Sequence, residues 1–222
     1  MSAGGRDHGG GIDAASARFG GARADWLDLS TGINPVAYPL PNLDPGDWRQ
    51  LPDTAAIGQA TEAARRFWNV PEDAEILAAP GVSALIARIP ALRPPQNVEI
   101  RSASYNEHAA AFSAHGWRVG QRPAPSRVIV HPDNPDGALW DGVGAPAGKS
   151  GLLVIDESFC DTCPKKTHVA KTRDAGTIVL KSFGKFWGLA GVRLGFAIGQ
   201  AETLAPLVGM LGPWAVSGPA LR

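Results

Sequence analysis

The sequence predicts an α/β protein whose central sheet is mostly parallel and covered by helices. Three observations carry that expectation. Continuous apolar runs at 128–130 and 152–155, and a nearly continuous one at 177–180, read as strands buried on both faces, and 98–100 and 194–198 read as further strands. Helical patterns lie between such runs, which is the order of strands and crossovers in a parallel sheet. A chain of 222 residues with 44% hydrophobic content is long enough to bury the core of one large domain, or of two small ones.

The elements follow in order. Residues 1–40 read as an N-terminal arm, Gly- and Pro-rich, with turn chemistry through "LDLSTGINPVAYPLP". Thr54–Trp68, "TAAIGQATEAARRFW", is Ala-rich with apolar residues at helical spacing, and Thr54 is its expected N-cap. "GVSALIARIPAL" begins a second helix after a Pro-Gly turn. Residues 107–115 predict a third. Residues 41–222 form the expected large domain.

Composition narrows the partners. Lys and Arg number 21, as do Asp and Glu, so the formal net charge is zero. Nucleic-acid and membrane-surface binding both call for a basic excess, so neither is expected. The polar, Gly-rich start lacks the apolar stretch of a secretory signal, which predicts a cytoplasmic protein. The uncharged run between Glu202 and Arg222 is cut by Pro206, Pro213 and Pro219, so it predicts a buried or interfacial segment rather than a membrane span. Cys160 and Cys163 form a lone CxxC without the further ligands of a zinc site. Two reduced thiols, and no metal, are expected.

The chemistry concentrates near the C-terminus. "KSFGKFWGLAGVRLGF" follows an apolar strand, at the sheet end where α/β proteins put ligands. It offers the Ser182 hydroxyl, the Lys185 amine and the Arg193 guanidinium. Ser182 and Arg193 suit a phosphate dianion, and a lysine between them suits a Schiff base with a carbonyl cofactor. Upstream, Asp156 ends the strand of "LLVIDESFCD", where a carboxylate can keep a cofactor's ring nitrogen protonated. Asn134, in the tight turn of "VHPDNPDG", can donate to a ring hydroxyl. Val82 and Ser83, after Gly81, offer amides and a hydroxyl to a phosphate. Tyr105 in "SASYNEH" offers a flat ring for stacking. Singly, each residue also has an ordinary reading: a surface lysine, a strand-end cap, a turn Asn, a helix start, a core Tyr.

Their order resembles the class I/II, fold-type I aminotransferases, enzymes that use pyridoxal 5′-phosphate. Within that superfamily the chain looks most like the cobalamin-biosynthetic threonine-phosphate decarboxylase group. The stretches that carry the likeness are "DHGGGIDAA", "LDLSTGINPVAYP", "SYNEHAAAFSAHGW", "HPDNPDG", "VIDESFCD", "KSFGKFWGLAGVRLGFAIG" and "LGPWAVSGPAL". The resemblance implies that Lys185 holds the cofactor and moves protons, and that Asp156 pairs with its ring nitrogen. It implies that Asn134 bonds the ring hydroxyl and that Tyr105 stacks on the ring. Val82, Ser83, Ser182 and Arg193 would hold the phosphate. His8 and Asn34 would line the substrate side. A phosphorylated amino acid is the implied substrate and a homodimer the implied assembly.

The sequence departs from the pattern in places. His131 and Asp133 stand where the family's turn has Asn, Leu51 replaces the Tyr of a Tyr-Pro-Asp stretch, and Phe159 stands where a ring-hydroxyl-bonding Tyr is frequent. Family members also continue past the position of Arg222 into a small C-terminal domain that holds the substrate carboxylate. That domain is expected to be missing here. Three readings stay open: a threonine-phosphate decarboxylase, an aminotransferase acting on a substrate such as histidinol phosphate, and a non-catalytic remnant.

Overall fold

A computed structural model describes residues 8–148 and 150–222. The first seven residues, including Asp7 of "DHGGGIDAA", lie outside them. The elements run α1 (Ile12–Phe19), α2 (Pro45–Arg49), α3 (Thr54–Trp68), β1 (Glu75–Ala79), α4 (Val82–Ile86), β2 (Asn97–Ile100), α5 (Asn106–Ala114), β3 (Arg118–Gly120), β4 (Ser126–Val130), β5 (Leu153–Asp156), β6 (Thr177–Ser182), β7 (Gly195–Gly199), α6 (Ala201–Leu211) and α7 (Gly218–Leu221).

The seven strands form one sheet in the order β1-β7-β6-β5-β4-β2-β3. The pairs β2–β3, β2–β4, β4–β5 and β5–β6 are parallel. β7 runs against both of its neighbours, β1 and β6. β1 therefore points the same way as β6, and the carboxyl ends of β1, β2, β4, β5 and β6 share one edge.

The continuous apolar strands have a simple cause. Successive side chains point to opposite faces, and here both faces are covered. Leu153 and Ile155 of β5 join one core with Val179, Phe196, Ile198 and Trp68 of α3. Val154 joins the other with Ile178, Leu180, Ala197, Leu85 of α4, Phe112 of α5 and Leu207 of α6. Ile155 and Val154 are both completely buried. Truncating a side chain such as Ile155 to Ala costs about 2–5 kcal/mol, because the close-packed surroundings relax only partly.

Several expectations need correction. α3 has the predicted span, but its N-cap is Asp53, whose carboxylate accepts from the Ala56 amide; Thr54 is already inside. The second helix stops after five residues at Ile86 and continues as a 3-10 turn over Ile89–Leu92. Pro90, at N2 of that turn, has no amide to extend an α-helix. Within residues 1–40, Ile12–Phe19 is helical, between Gly11 and Gly20, a helix that the sequence reading passed over, and none of its residues is buried. β1 and β3 are strands that the apolar-run criterion passed over, and the antiparallel sense of β7 was not read from the sequence. No helix among the described residues is long and apolar enough to cross a membrane. The uncharged C-terminal stretch instead forms α6, whose Leu204 and Leu207 are buried in the core. Cys160 and Cys163 are free thiols. Burial and the Glu157 carboxylate push the Cys160 thiol far above its ordinary range, so it behaves as an inert core residue.

Candidate cofactor and active site

The shared strand edge gathers most of the predicted residues. Asp156 is the last residue of β5 and Ser182 the last of β6. The turn after β4 carries Asn134, the loop after β2 ends at Tyr105, and the turn after β1 leads through Gly81 into Val82 and Ser83. A cavity of about 230 Å³ opens there, lined by Val82, Ser83, Tyr105, Asn134, Asp156, Ser182, Lys185 and Arg193, and also by Ser158 and Phe159. A second, polar cavity of about 760 Å³ adjoins it, sharing Ser83, Tyr105, Asn134 and Lys185. Lys185 thus stands at the boundary between the two.

One end of the smaller cavity is built for an anion. Gly81 has φ +80°, and a Cβ at this position would meet Arg193 Nη2 at 2.6 Å, so the guanidinium lies directly over the glycine. Arg193 itself adopts the left-handed conformation, at φ 55°. Its only hydrogen bond among the described residues is from Nη1 to the Ala190 carbonyl, at 3.2 Å, and no carboxylate neutralises it. Ser182 Oγ accepts from the Gly184 amide at 3.1 Å, which leaves its proton to donate. The Ser83 hydroxyl completes the set. α4 is too short for a strong helix dipole, so the fit to a phosphate dianion comes from Arg193, the hydroxyls and the glycine-lined approach.

The other end holds a buried, ionised carboxylate. Asp156 Oδ2 accepts from His108 Nε2 at 2.9 Å, both groups being buried. Its Oδ1 accepts from the Ser158 amide at 3.0 Å and hydroxyl at 2.6 Å. Burial alone would raise the Asp156 pKa; the His108 and Ser158 bonds outweigh it and hold the carboxyl below its usual range. Such an acid stays charged at neutral pH and can stabilise a protonated ring nitrogen. Lys185 is half-buried, and desolvation lowers its pKa against the pull of Asp156. Its Nζ lies 5.5 Å from the Phe159 ring centroid. A lysine shifted this way has more of the neutral amine needed to attack a carbonyl. An anion cup, a reactive amine and an ionised acid around one cavity fit pyridoxal 5′-phosphate.

The Lys185 loop is held from two sides. The arm crosses it: the Asn34 amide donates to the Lys185 carbonyl at 3.0 Å, and the Tyr38 amide to the Trp187 carbonyl at 2.8 Å. Below it, Asp161 accepts from the Trp187 indole at 2.8 Å and the Trp68 indole at 2.9 Å. Beside this pair Lys181 Nζ sits 2.6 Å from Glu157 Oε2, both fully buried.

The two substrate-side candidates are placed differently. His8 lines the larger cavity, with Nε2 3.0 Å from Glu107 Oε1. Asn34 borders neither cavity: its side-chain Nδ2 donates to the Phe186 carbonyl at 2.9 Å and its Oδ1 accepts from the Val36 backbone amide at 3.0 Å. The sequence reading passed over His108, Ser158 and the Lys181–Glu157 pair. His108 had a signal available, since it lies three residues beyond Tyr105 on a helix and so on the same side.

Comparison with known proteins places the chain in a family. The chain is 39% identical over 234 aligned residues to a threonine-phosphate decarboxylase of Sinorhizobium sp., covering 96% of this chain and 69% of that protein. The chain belongs to the class I and II aminotransferase family. The family's own pattern matches residues 128–222, the part that runs from β4 through Lys185 to the end. A threonine-phosphate decarboxylase of Pseudomonas aeruginosa is 36% identical, covering 96% of this chain and 68% of that one. The fold matches the histidinol-phosphate aminotransferase of Clostridium acetobutylicum with a TM-score of 0.73 at 20% identity, over 88% of this chain and 67% of that one. Members of this aminotransferase family work with pyridoxal 5′-phosphate.

Proposed function

We propose that this chain decarboxylates L-threonine O-3-phosphate to (R)-1-amino-2-propanol O-2-phosphate, a precursor of the cobalamin nucleotide loop, as a homodimer. The observation that carries the reading is the 39% identity to a threonine-phosphate decarboxylase across 96% of the chain.

Pyridoxal phosphate, when bound, supplies an electron sink for the pair left on the substrate Cα as carbon dioxide departs. The chain's residues do the rest. Arg193, Ser182, Ser83 and the Val82 amide would hold the phosphate. Asp156, kept ionised by His108 and Ser158, would keep the ring nitrogen protonated. Tyr105 and Asn134 would hold the ring. Lys185 would carry the cofactor and return a proton to Cα. The larger, polar cavity beside Lys185, with His8 in its wall, offers room for a phosphorylated amino acid.

The test has two steps. The chain is mixed with pyridoxal phosphate and its visible absorbance recorded. A band that borohydride bleaches, and that Lys185→Ala lacks, is expected; its absence from folded wild-type protein would overturn the site. Carbon dioxide release from threonine phosphate is then assayed. Amine transfer to a 2-oxo acid without carbon dioxide release would instead identify an aminotransferase. A band with neither reaction would identify a chain that binds cofactor and turns nothing over.

A further inference from the structure

Asp133 stands where the family's turn has Asn, and its surroundings give that difference a use. Its side chain is almost wholly buried. Oδ2 accepts from Arg101 Nη1 at 2.7 Å and Oδ1 from the Ser104 hydroxyl at 2.6 Å. The same guanidinium reaches Asp136 Oδ2 through Nη2, at 2.7 Å. Arg101 and Ser104 belong to the loop after β2 that ends at Tyr105. Asp133 and Asp136 lie on either side of Asn134 in the turn after β4.

We propose that Arg101 is a positioning residue: its guanidinium, forked between Asp133 and Asp136, sets the separation of the two loops that carry Tyr105 and Asn134, and so the grip on a planar ring between them. The inference rests on the functional reading above, because it takes Tyr105 and Asn134 to face the cofactor. Each loop is closed within itself, through the Ser104 amide to the Arg101 carbonyl at 3.2 Å and the Gly137 amide to the Asp133 carbonyl at 2.8 Å. The guanidinium joins one closed loop to the other. Only a planar fork can span two carboxylates in fixed geometry; a lysine ammonium is a point charge on a flexible stem. Arg101 and Asp136 are solvent-exposed, where ion pairs add little to folding. The pair with the buried Asp133 differs: losing Arg101 leaves that carboxylate short of a charge-assisted bond, so stability falls as well, and cofactor affinity and exchange of the opposite loop are the readouts that single out the site.

Arg101→Gln and Arg101→Lys test this against wild-type protein. Pyridoxal phosphate affinity, the position of the visible band, thermal unfolding and amide hydrogen exchange of the cofactor-free chain are all measured. Arg101→Gln is expected to weaken cofactor affinity about fivefold or more, the effect of a lost hydrogen-bonded contact, and to shift the band. Peptides covering 131–138 are expected to exchange faster, by more than those of the sheet core, although the substitution lies on the other loop, and the melting temperature is expected to fall because the buried Asp133 loses its charged partner. Arg101→Lys is expected to recover only part of the affinity. Unchanged exchange over 131–138, or unchanged cofactor affinity, would overturn the proposal; so would full rescue by Lys. A wild-type chain that bound no pyridoxal phosphate would overturn the functional reading, and exchange in Arg101→Gln would still decide whether the loops are tied.

Discussion

Replacing Gly81 with Ala probes the anion cup through two separate effects. Gly81 holds φ 80° and ψ 154°, a region that essentially only glycine occupies. Forcing Ala into it costs about 1–3 kcal/mol. In a domain of this size each kcal/mol moves the melting temperature by about 2–4 °C, which predicts a fall of roughly 2 to 12 °C in cofactor-free protein. The added methyl would also meet Arg193 Nη2 at 2.6 Å and push the guanidinium aside. Hydrogen bonds to charged groups contribute about 1.5–3 kcal/mol, so pyridoxal phosphate affinity is expected to weaken roughly ten- to a hundredfold. Gly58→Ala is the control. Gly58 lies inside α3 with nothing within 4 Å of an added Cβ, so the change is expected to stabilise by about 0.5–1 kcal/mol. Thermal unfolding and cofactor titration of the two variants give the answer. A Gly81→Ala protein with wild-type melting temperature and affinity would refute both the strain and the placement of Arg193.

Other sites give further tests. His108→Ala leaves the buried Asp156 carboxylate without its ring partner and is expected to cost about 3–5 kcal/mol in urea unfolding. Asp156 has a lowered folded-state pKa, so its contribution is complete above about pH 4 and is lost as pH falls through the lower folded value. Ser158→Ala raises that folded value, and the acid-unfolding midpoint is expected to move to higher pH. Lys181→Met strands the Glu157 carboxylate and is expected to destabilise by about 3–5 kcal/mol, while Lys181→Met with Glu157→Gln recovers part of the loss in the same unfolding assay. Because desolvation lowers the Lys185 pKa, its reaction with an amine-directed reagent is expected to reach half-maximum below the pH of an ordinary lysine.

How much of this was legible in the sequence depended on the range of the interaction. Strands β4, β5 and β6 announced themselves because double-sided burial demands unbroken apolar runs. The Lys185 stretch was legible because its hydroxyl, amine and guanidinium are local in sequence. β3 was not, since all three of its residues are exposed on the sheet edge and carry no apolar signal. The reversed direction of β7 is a property of its neighbours and not of "GFAIG". The same holds for His108 and Asp156, 48 residues apart and joined only by the packing of α5 against the sheet. Arg101 and Asp133, from adjacent strand ends, left no pattern at all.

The crossing of the arm over the Lys185 loop bears on how the chain acquires its shape. Asn34 and Phe186, which it joins, are separated by 152 positions. Gly188, at φ +67°, lets the two strings of backbone pass so closely that a Cβ there would strike the Asn34 carbonyl oxygen at 2.7 Å. During synthesis residues 30–40 emerge early, yet the surface they settle on does not exist until β6 has been made and laid beside β5. The segment made first is therefore among the last to dock. Contacts of such long sequence separation are slow to form, so the lysine loop acquires this tether late in folding.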